Sequence, residues 1–399
     1  MRAVTESLPE QTTPDVPLPR IAREWGRIGI TGFGGPPAHI ALLRKLCVAE
    51  RKWIPADEFE DAIATCNLLP GPASTQLAIW CGYRLRRRLG AVVAGVCFIV
   101  PGLVLILALS ALFLAAHPPT WVLGAAAGAG AAVPAVAVHA AWGLAPASWK
   151  RMQDPAQPGR HAPASSRRRW IGYAVIGGVA AATIGPFLVL VLLACGLIEI
   201  AVRIKPAALS PAGLPLPLAG VGTGGLGALA WTALKVGALS YGGGFVIIPL
   251  MQHDAVTTYH WMSGAQFLDA VALGQVTPGP VVLTTGAVGY AAAGIGGGLL
   301  AVAVAFSPSF LFVLLGAHHF DRLRRNQPVQ AFLTGAGPTV IGAIAGSAVP
   351  LTLALSHGWQ YPLLAAAAAG LFLGRRGVVS ILLLAALVGV VAALAGAPV

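Results

Sequence analysis

The chain has 399 residues, 56% of them hydrophobic and 10% charged, with a mean hydropathy of +0.76. A soluble domain carries about 25% charged residues, so the composition excludes an ordinary water-soluble protein and calls for a lipid bilayer. The net charge of +12 does not indicate nucleic acid, because the basic residues cluster in short loops between apolar runs and no nucleic-acid motif accompanies them.

The first 19 residues are polar and proline-rich, without the apolar core of a signal peptide, and are expected to form a disordered cytoplasmic tail. Arg27–Leu46 carries the glycine cluster Phe33-Gly34-Gly35-Pro36-Pro37 between apolar stretches too short to cross alone. Glu58–Tyr83 is split by Pro70-Gly71-Pro72. Spans long enough for hydrocarbon follow at Gly90–Ala116 and Trp121–Trp142, and Ile171–Val202 can double back at Gly185-Pro186. Met152–Arg169 reads as a loop inside the first half, and Lys205–Pro217 joins the halves. Lys235–Met251 then holds Tyr241-Gly242-Gly243-Gly244, and Gln266–Tyr290 is split by Pro278-Gly279-Pro280. The last spans are Gly298–Ala317, Val329–Leu355, Tyr361–Gly374 and Val378–Ala395. Long apolar runs rather than short alternating segments exclude a β-barrel. The interrupted segments read as re-entrant hairpins or broken helices, tolerated where protein or a water-filled cavity surrounds them, for about ten to twelve crossings in all.

The second half repeats the first. From Arg27–Pro72 to Lys235–Pro280 the offset is a constant 208 residues, and Gly29, Gly34, Gly35, Trp53, Phe59, Asp61 and Ala62 match Gly237, Gly242, Gly243, Trp261, Phe267, Asp269 and Ala270. After one deletion the match resumes at 207, with Gly82-Tyr83 on Gly289-Tyr290 and Pro101 on Pro308. The basic loops swap ends between the halves. Arg84, Arg86, Arg87 and Arg88 precede the first long span, whereas Arg322, Arg324 and Arg325 follow its counterpart, and Ala291–Gly297 before it is uncharged. The expected architecture is therefore an all-α polytopic membrane protein of two inverted-topology repeats, residues 20–205 and 218–399 with a linker at 206–217. Repeats with paired broken helices are the pattern of a secondary transporter, with its site near the midplane.

Pro-Gly-Pro in an apolar run removes backbone donors and stops a helix, and the second proline suits the first position of the next one. The amides beyond Pro72 and Pro280 then point from the positive end of a helix dipole. With Ser74, Thr75 and Gln76, and with Thr284 and Thr285, they would form an oxyanion cradle; a plain structural kink is the alternative, and the matched second copy favours the cradle. Asn67, Gly71, Gln275, Thr277 and Gly279 belong to the same segments, and the glycine turns at Gly34-Gly35 and Gly242-Gly243 would bring backbone close to a ligand. Arg27 and Lys235 pair across the repeat as candidate counter-charges, with interfacial snorkelling as the other reading of Arg27. Asp61 and Asp269 pair likewise, each able to carry a coupling proton or hold a basic residue. Glu199 is expected to pair with Arg203 four residues on. His39 and His139 titrate near neutrality when exposed, but each reads first as a satisfied buried histidine. The five cysteines have no CxxC spacing and read as free thiols. HExxH, Walker A, GxSxG and haem motifs are all missing, so neither an enzyme, an ATP-driven pump nor a cofactor is expected.

The motifs Phe33-Gly34-Gly35-Pro36-Pro37-Ala38-His39-Ile40, Arg51-Lys52-Trp53, Asn67-Leu68-Leu69-Pro70-Gly71-Pro72 and Gly274-Gln275-Val276-Thr277-Pro278-Gly279-Pro280 together resemble the chromate ion transporter family, in its long-chain form with both repeats in one polypeptide. The resemblance covers about Arg20 to Leu355. It implies export of chromate across a bacterial cytoplasmic membrane, driven by protons, with sulfate or another tetrahedral oxyanion as the alternative substrate and an uncoupled channel as a more distant one. One position departs from the pattern: Asp254 in the second half faces Leu46 in the first, so any coupling role there falls to Asp254 alone. The implied partners are the oxyanion, protons and the bilayer; oligomeric state, a homodimer included, is left open.

Overall fold

The computed structural model describes residues 16–66, 71–115, 117–153, 163–183, 188–204, 225–240, 247–316 and 326–399. Among these the chain is mostly helical and no strand occurs. Helix α1 (Leu18–Thr31) begins inside the expected tail, because prolines at its start supply helical φ where no amide donor is needed. Helix α2 (Pro36–Arg44) continues into a π-helical turn, Lys45–Glu50. The first half is completed by α3 (Ala56–Cys66), α4 (Ala73–Phe113), α5 (Thr120–Gln153), α6 (Pro163–Thr183) and α7 (Leu188–Arg203). The second begins with α8 (Leu226–Leu239), α9 (Ile247–Gln252) and a π-helical turn at His253–Thr258 that lies 208 residues after the first. A reciprocal Ser263–Gln266 capping box starts α10 (Gly264–Val276). A 3-10 turn (Val281–Leu283) opens into α11 (Thr284–Gly316), followed by α12 (Gln327–Gly346), α13 (Ala348–Leu353), α14 (Gln360–Phe372) and α15 (Val378–Leu394).

The repeat persists in backbone detail. Helix α4 breaks at Arg86 (φ −146°, ψ 34°) and Arg87 (φ 51°, ψ −141°), and α11 breaks at Ala293 (φ −155°, ψ 36°) and Gly294 (φ 61°, ψ −154°). Each break reverses the chain so sharply that Gly82 lies against the Gly90 carbonyl and Gly289 against that of Gly297, with no room for a Cβ. The basic stretch Arg84–Arg88, expected as a loop, is thus the bend of a helical hairpin. Arg322, Arg324 and Arg325 lie outside the described residues.

Close backbone packing holds each half, with Gly29 against the Phe98 carbonyl and Gly237 against that of Ala305, the equivalent residue. Between the halves, Gly95 abuts the Phe310 ring while Leu107 reaches Gly298. An early residue of one outgoing limb therefore meets a late residue of the other. Equivalent helices that pack antiparallel are related by a pseudo-two-fold perpendicular to their axes, which is the geometry of inverted repeats. The end helices are exchanged: α6 and α7 pack on α12 of the second half, and α14 and α15 pack on α5 of the first. Gly177 against the Thr339 carbonyl and Gly128 against that of Ala385 mark the two contacts.

The chain is an all-α polytopic membrane protein. Among the described residues, four helical stretches are long and apolar enough to cross a bilayer, at 73–113, 120–153, 281–316 and 327–353. Val92, Val96, Val100 and Val104 form an exposed apolar stripe on α4 at four-residue spacing, suited to lipid. The five cysteines are free thiols, four of them buried. Glu199 pairs with Arg203 (2.5 Å) as expected, and also meets Arg169 (3.2 Å) and the Tyr173 hydroxyl (3.0 Å) in a buried cluster.

Candidate functional site

Gly71-Pro72 precedes α4, and Pro278-Gly279-Pro280 forms the tip between α10 and the 3-10 turn that opens into α11; Pro70 lies outside the described residues. Arg84 bonds Glu58 at both carboxylate oxygens, so the start of α3 lies beside the end of the first limb of α4. In the second half, Gly274 packs on Thr284 across the corresponding tip. Gly71 (φ +120°) and Gly279 (φ +104°) occupy backbone conformations that favour glycine. Beyond the tip, the Thr75 and Gln76 amides return to the Pro72 carbonyl (2.9 and 3.0 Å), which leaves Ala73 and Ser74 without a helical acceptor among the described residues. Leu283 returns to Pro280 (2.9 Å) and leaves Val281 and Val282 in the same position.

The two tips cross-bond. Gly71 N–H donates to the Ser240 carbonyl (2.9 Å), and Gly279 N–H donates to the Gly32 carbonyl (3.0 Å). Gly71 and Gly279 are repeat equivalents, as are Gly32 and Ser240, so each tip is seated on the hairpin of the other half by the same bond. His39 adds a third tie in the first half only: Nε2 lies 2.9 Å from the Gly32 carbonyl and Nδ1 3.2 Å from Ser74 Oγ, with the ring edge on Phe98. Gly102 packs on the Pro278 carbonyl, and Ser309 lies over Gly71. Gly35 approaches Val281, while Gly34 is exposed.

Unsatisfied polar atoms gather at this crossing. Thr75 Oγ1, Ser240 Oγ, Gln275 Nε2, Thr277 Oγ1 and Ser309 Oγ are buried with no hydrogen-bond partner among the described residues. Each such atom costs about 1–3 kcal/mol when left unpaired, so their concentration marks a place that a polar ligand would complete. Gln76 lies against Gly71. Thr284 and Thr285, expected as donors, give their hydroxyl hydrogens to the Val281 and Val282 carbonyls (2.8 Å each). Asn67, Gly242 and Gly243 lie outside the described residues.

The two cationic candidates are matched by carboxylates. Lys235 is ion-paired with Asp254, whose Oδ2 also accepts from Thr232 (2.8 Å). Arg27 is 64% exposed and lies 3.9 Å from Glu24, which also holds Arg51 at 3.2 Å. The halves have exchanged the position of their acid: Glu24 and Leu46 in the first stand where Thr232 and Asp254 stand in the second. Asp61 is exposed on α3. Its equivalent Asp269 lines a cavity of about 270 Å³ between α4, α5, α10 and α11, with Ser110, Met262 and Gln266, and has no ionic partner among the described residues.

A family model described as chromate transporter matches residues 19–200 and 227–392, both repeats in turn. The chain belongs to the chromate transporter family. It is 32% identical over 354 residues to the chromate transport protein of Cupriavidus metallidurans, covering 85% of this chain and 84% of the relative. A probable chromate transport protein of Synechococcus elongatus is 30% identical over 85% of both chains, and the chromate transport protein of Pseudomonas aeruginosa is 30% identical over 87% and 84%. No solved structure matches. Ser240, Ser309 and the role of His39 escaped the sequence reading. Ser240 was detectable as the repeat equivalent of Gly32, and Ser309 as the neighbour of the matched Pro308; nothing in the spacing tied His39 to Ser74.

Proposed function

We propose that this protein exports chromate across the cytoplasmic membrane of a bacterial cell, coupled to protons, and thereby confers chromate resistance. The observation that carries the reading is the crossing of the two Pro-Gly-Pro tips, where unpaired amides of two helix starts and unpaired hydroxyls of Thr75, Ser240, Thr277 and Ser309 gather. An oxyanion is a pure acceptor, and such donors replace its hydration shell without a fixed cation. The counter-charge comes from the helix dipoles, because Lys235 and Arg27 are already matched by Asp254 and Glu24. Asp269, facing a cavity without a cationic partner, is the proton carrier. Relatives named for chromate transport support the choice of substrate. Sulfate is the second reading, since neutral donors discriminate weakly among tetrahedral dianions.

Everted vesicles containing the protein should accumulate chromate when their lumen is made acidic, and excess sulfate should compete for the same neutral donors. Asp269→Asn should retain chromate exchange but lose the dependence on the gradient. Absence of chromate accumulation under every gradient would defeat the exporter, and stronger uptake of sulfate than chromate would install the second reading.

A further inference from the structure

His39 is fully buried, and both its ring nitrogens are engaged. The Gly32 carbonyl can only accept, so Nε2 carries a hydrogen in every state of the ring. In the neutral ring Nδ1 is then the acceptor, and the Ser74 hydroxyl must donate to it. Ser74 stands at the start of α4, beside Thr75, whose hydroxyl is unpaired. With His39 neutral, the Ser74 hydrogen is held by the histidine and is withheld from any anion at the helix start.

We propose that His39 is the positioning residue that links proton binding to anion binding: a proton taken up at Nδ1 turns that nitrogen into a donor to Ser74 Oγ and releases the Ser74 hydrogen to the oxyanion. The ring then donates at both nitrogens, to Gly32 and to Ser74, and Ser74 relays the added charge. The bookkeeping closes with one proton gained and no bond broken other than hydrogen bonds. The Gly32 carbonyl also accepts from Gly279 N–H, so the charged ring polarises the bond that seats the second tip. The second repeat has Ile247 at the equivalent position, which gives the crossing one such relay, from one side.

The surroundings leave the ring to respond to the proton and the anion. Helix α2 packs against α1, the Lys45–Glu50 turn and α4. On those elements Glu24 is paired with Arg27 and Arg51, Lys45 with Glu50, and Arg84 with Glu58, while Arg20 lies over Trp53. Arg23, Arg86, Arg87 and Arg88 are exposed. Among the described residues no carboxylate reaches His39, and its partners are Gly32, Ser74 and the edge of Phe98. The buried thiols of Cys47 and Cys81 lie in the same core cluster, with Cys97 packed against it.

The inference rests on the proposed oxyanion site, and calorimetry on the full-length protein in detergent separates the two. Sulfate, which does not titrate near neutrality, and chromate are the probes, in paired non-oxyanion buffers of different ionisation enthalpy. The wild type should take up close to one proton per sulfate bound, with affinity rising up to about tenfold per unit fall in pH. His39→Gln retains a donor toward Gly32; it should bind more weakly and lose both the proton uptake and the pH dependence. Ser74→Ala should lose the same pH dependence while His39 remains, and it decides the matter if the glutamine variant does not fold. Wild-type proton uptake persisting in either folded variant overturns the relay and leaves the site standing. Failure of the wild type to bind either anion overturns the site, and the relay with it.

Discussion

Replacing Lys235 with methionine leaves the Asp254 carboxylate, 8% exposed, with only the Thr232 hydroxyl. Breaking a buried pair costs about 3–5 kcal/mol, and the 18% exposure of the Lys235 side chain puts this case at the low end, about 3 kcal/mol. Asp254→Leu installs the residue type of Leu46 and leaves a flexible ammonium that snorkels toward water, for a loss of about 2 kcal/mol. The double variant carries no stranded charge and should lose about 2 kcal/mol in packing alone, which gives a coupling energy of about 3 kcal/mol. Unfolding in mixed micelles, followed by tryptophan fluorescence, measures all four corners of the cycle. Additive losses in the double variant would refute the pairing. A double variant that is stable yet inactive in vesicles would show that the pair contributes to transport beyond holding α8 to the π-helical turn.

Three further expectations concern the backbone and its orientation. Gly71→Ala should be more damaging than Gly279→Ala, because the new Cβ meets Gln76 Nε2 at 2.5 Å and Ser309 Oγ at 3.2 Å, whereas at Gly279 the nearest atom is Leu283 Cδ1 at 3.2 Å; the strained φ alone costs each about 1–2 kcal/mol, read as a lower melting temperature. Arg87→Gly should raise the melting temperature by relieving a positive φ worth about 1–3 kcal/mol, while Gly294→Ala at the matched bend should lower it. Single cysteines at Arg86 and Gly294 should label from opposite sides of the membrane, the first from the cytoplasm; labelling from one side would show parallel halves.

The architecture was legible because it is written twice. Matched glycines and prolines located both hairpin tips, and the swapped basic loops indicated the inversion that the Gly95–Phe310 and Leu107–Gly298 contacts display. Apolar run lengths found the long helices but not the hairpin at Arg86–Arg87, since hydropathy does not register a reversal within a continuous helical pattern. The partners of charged groups were less readable. Lys235 and Arg27 looked like a symmetric pair of cations, yet their acids, Asp254 and Glu24, sit at non-equivalent positions, and only the folded chain shows that one has replaced the other. The His39–Ser74 bond joins elements 35 residues apart with no periodic signal between them.

The exchange of end helices has a consequence for synthesis. The α6 surface around Gly177 and Gly178 is completed by α12, whose Thr339, Gly342 and Gly346 lie about 160 residues later in the chain. At roughly 5–20 residues per second of translation, the first half waits on the order of ten seconds for that partner. Its glycine-lined helix face meets only lipid or insertion machinery meanwhile. The first half released alone should therefore be a target for membrane proteases, and supplying the second half as a separate polypeptide should protect it.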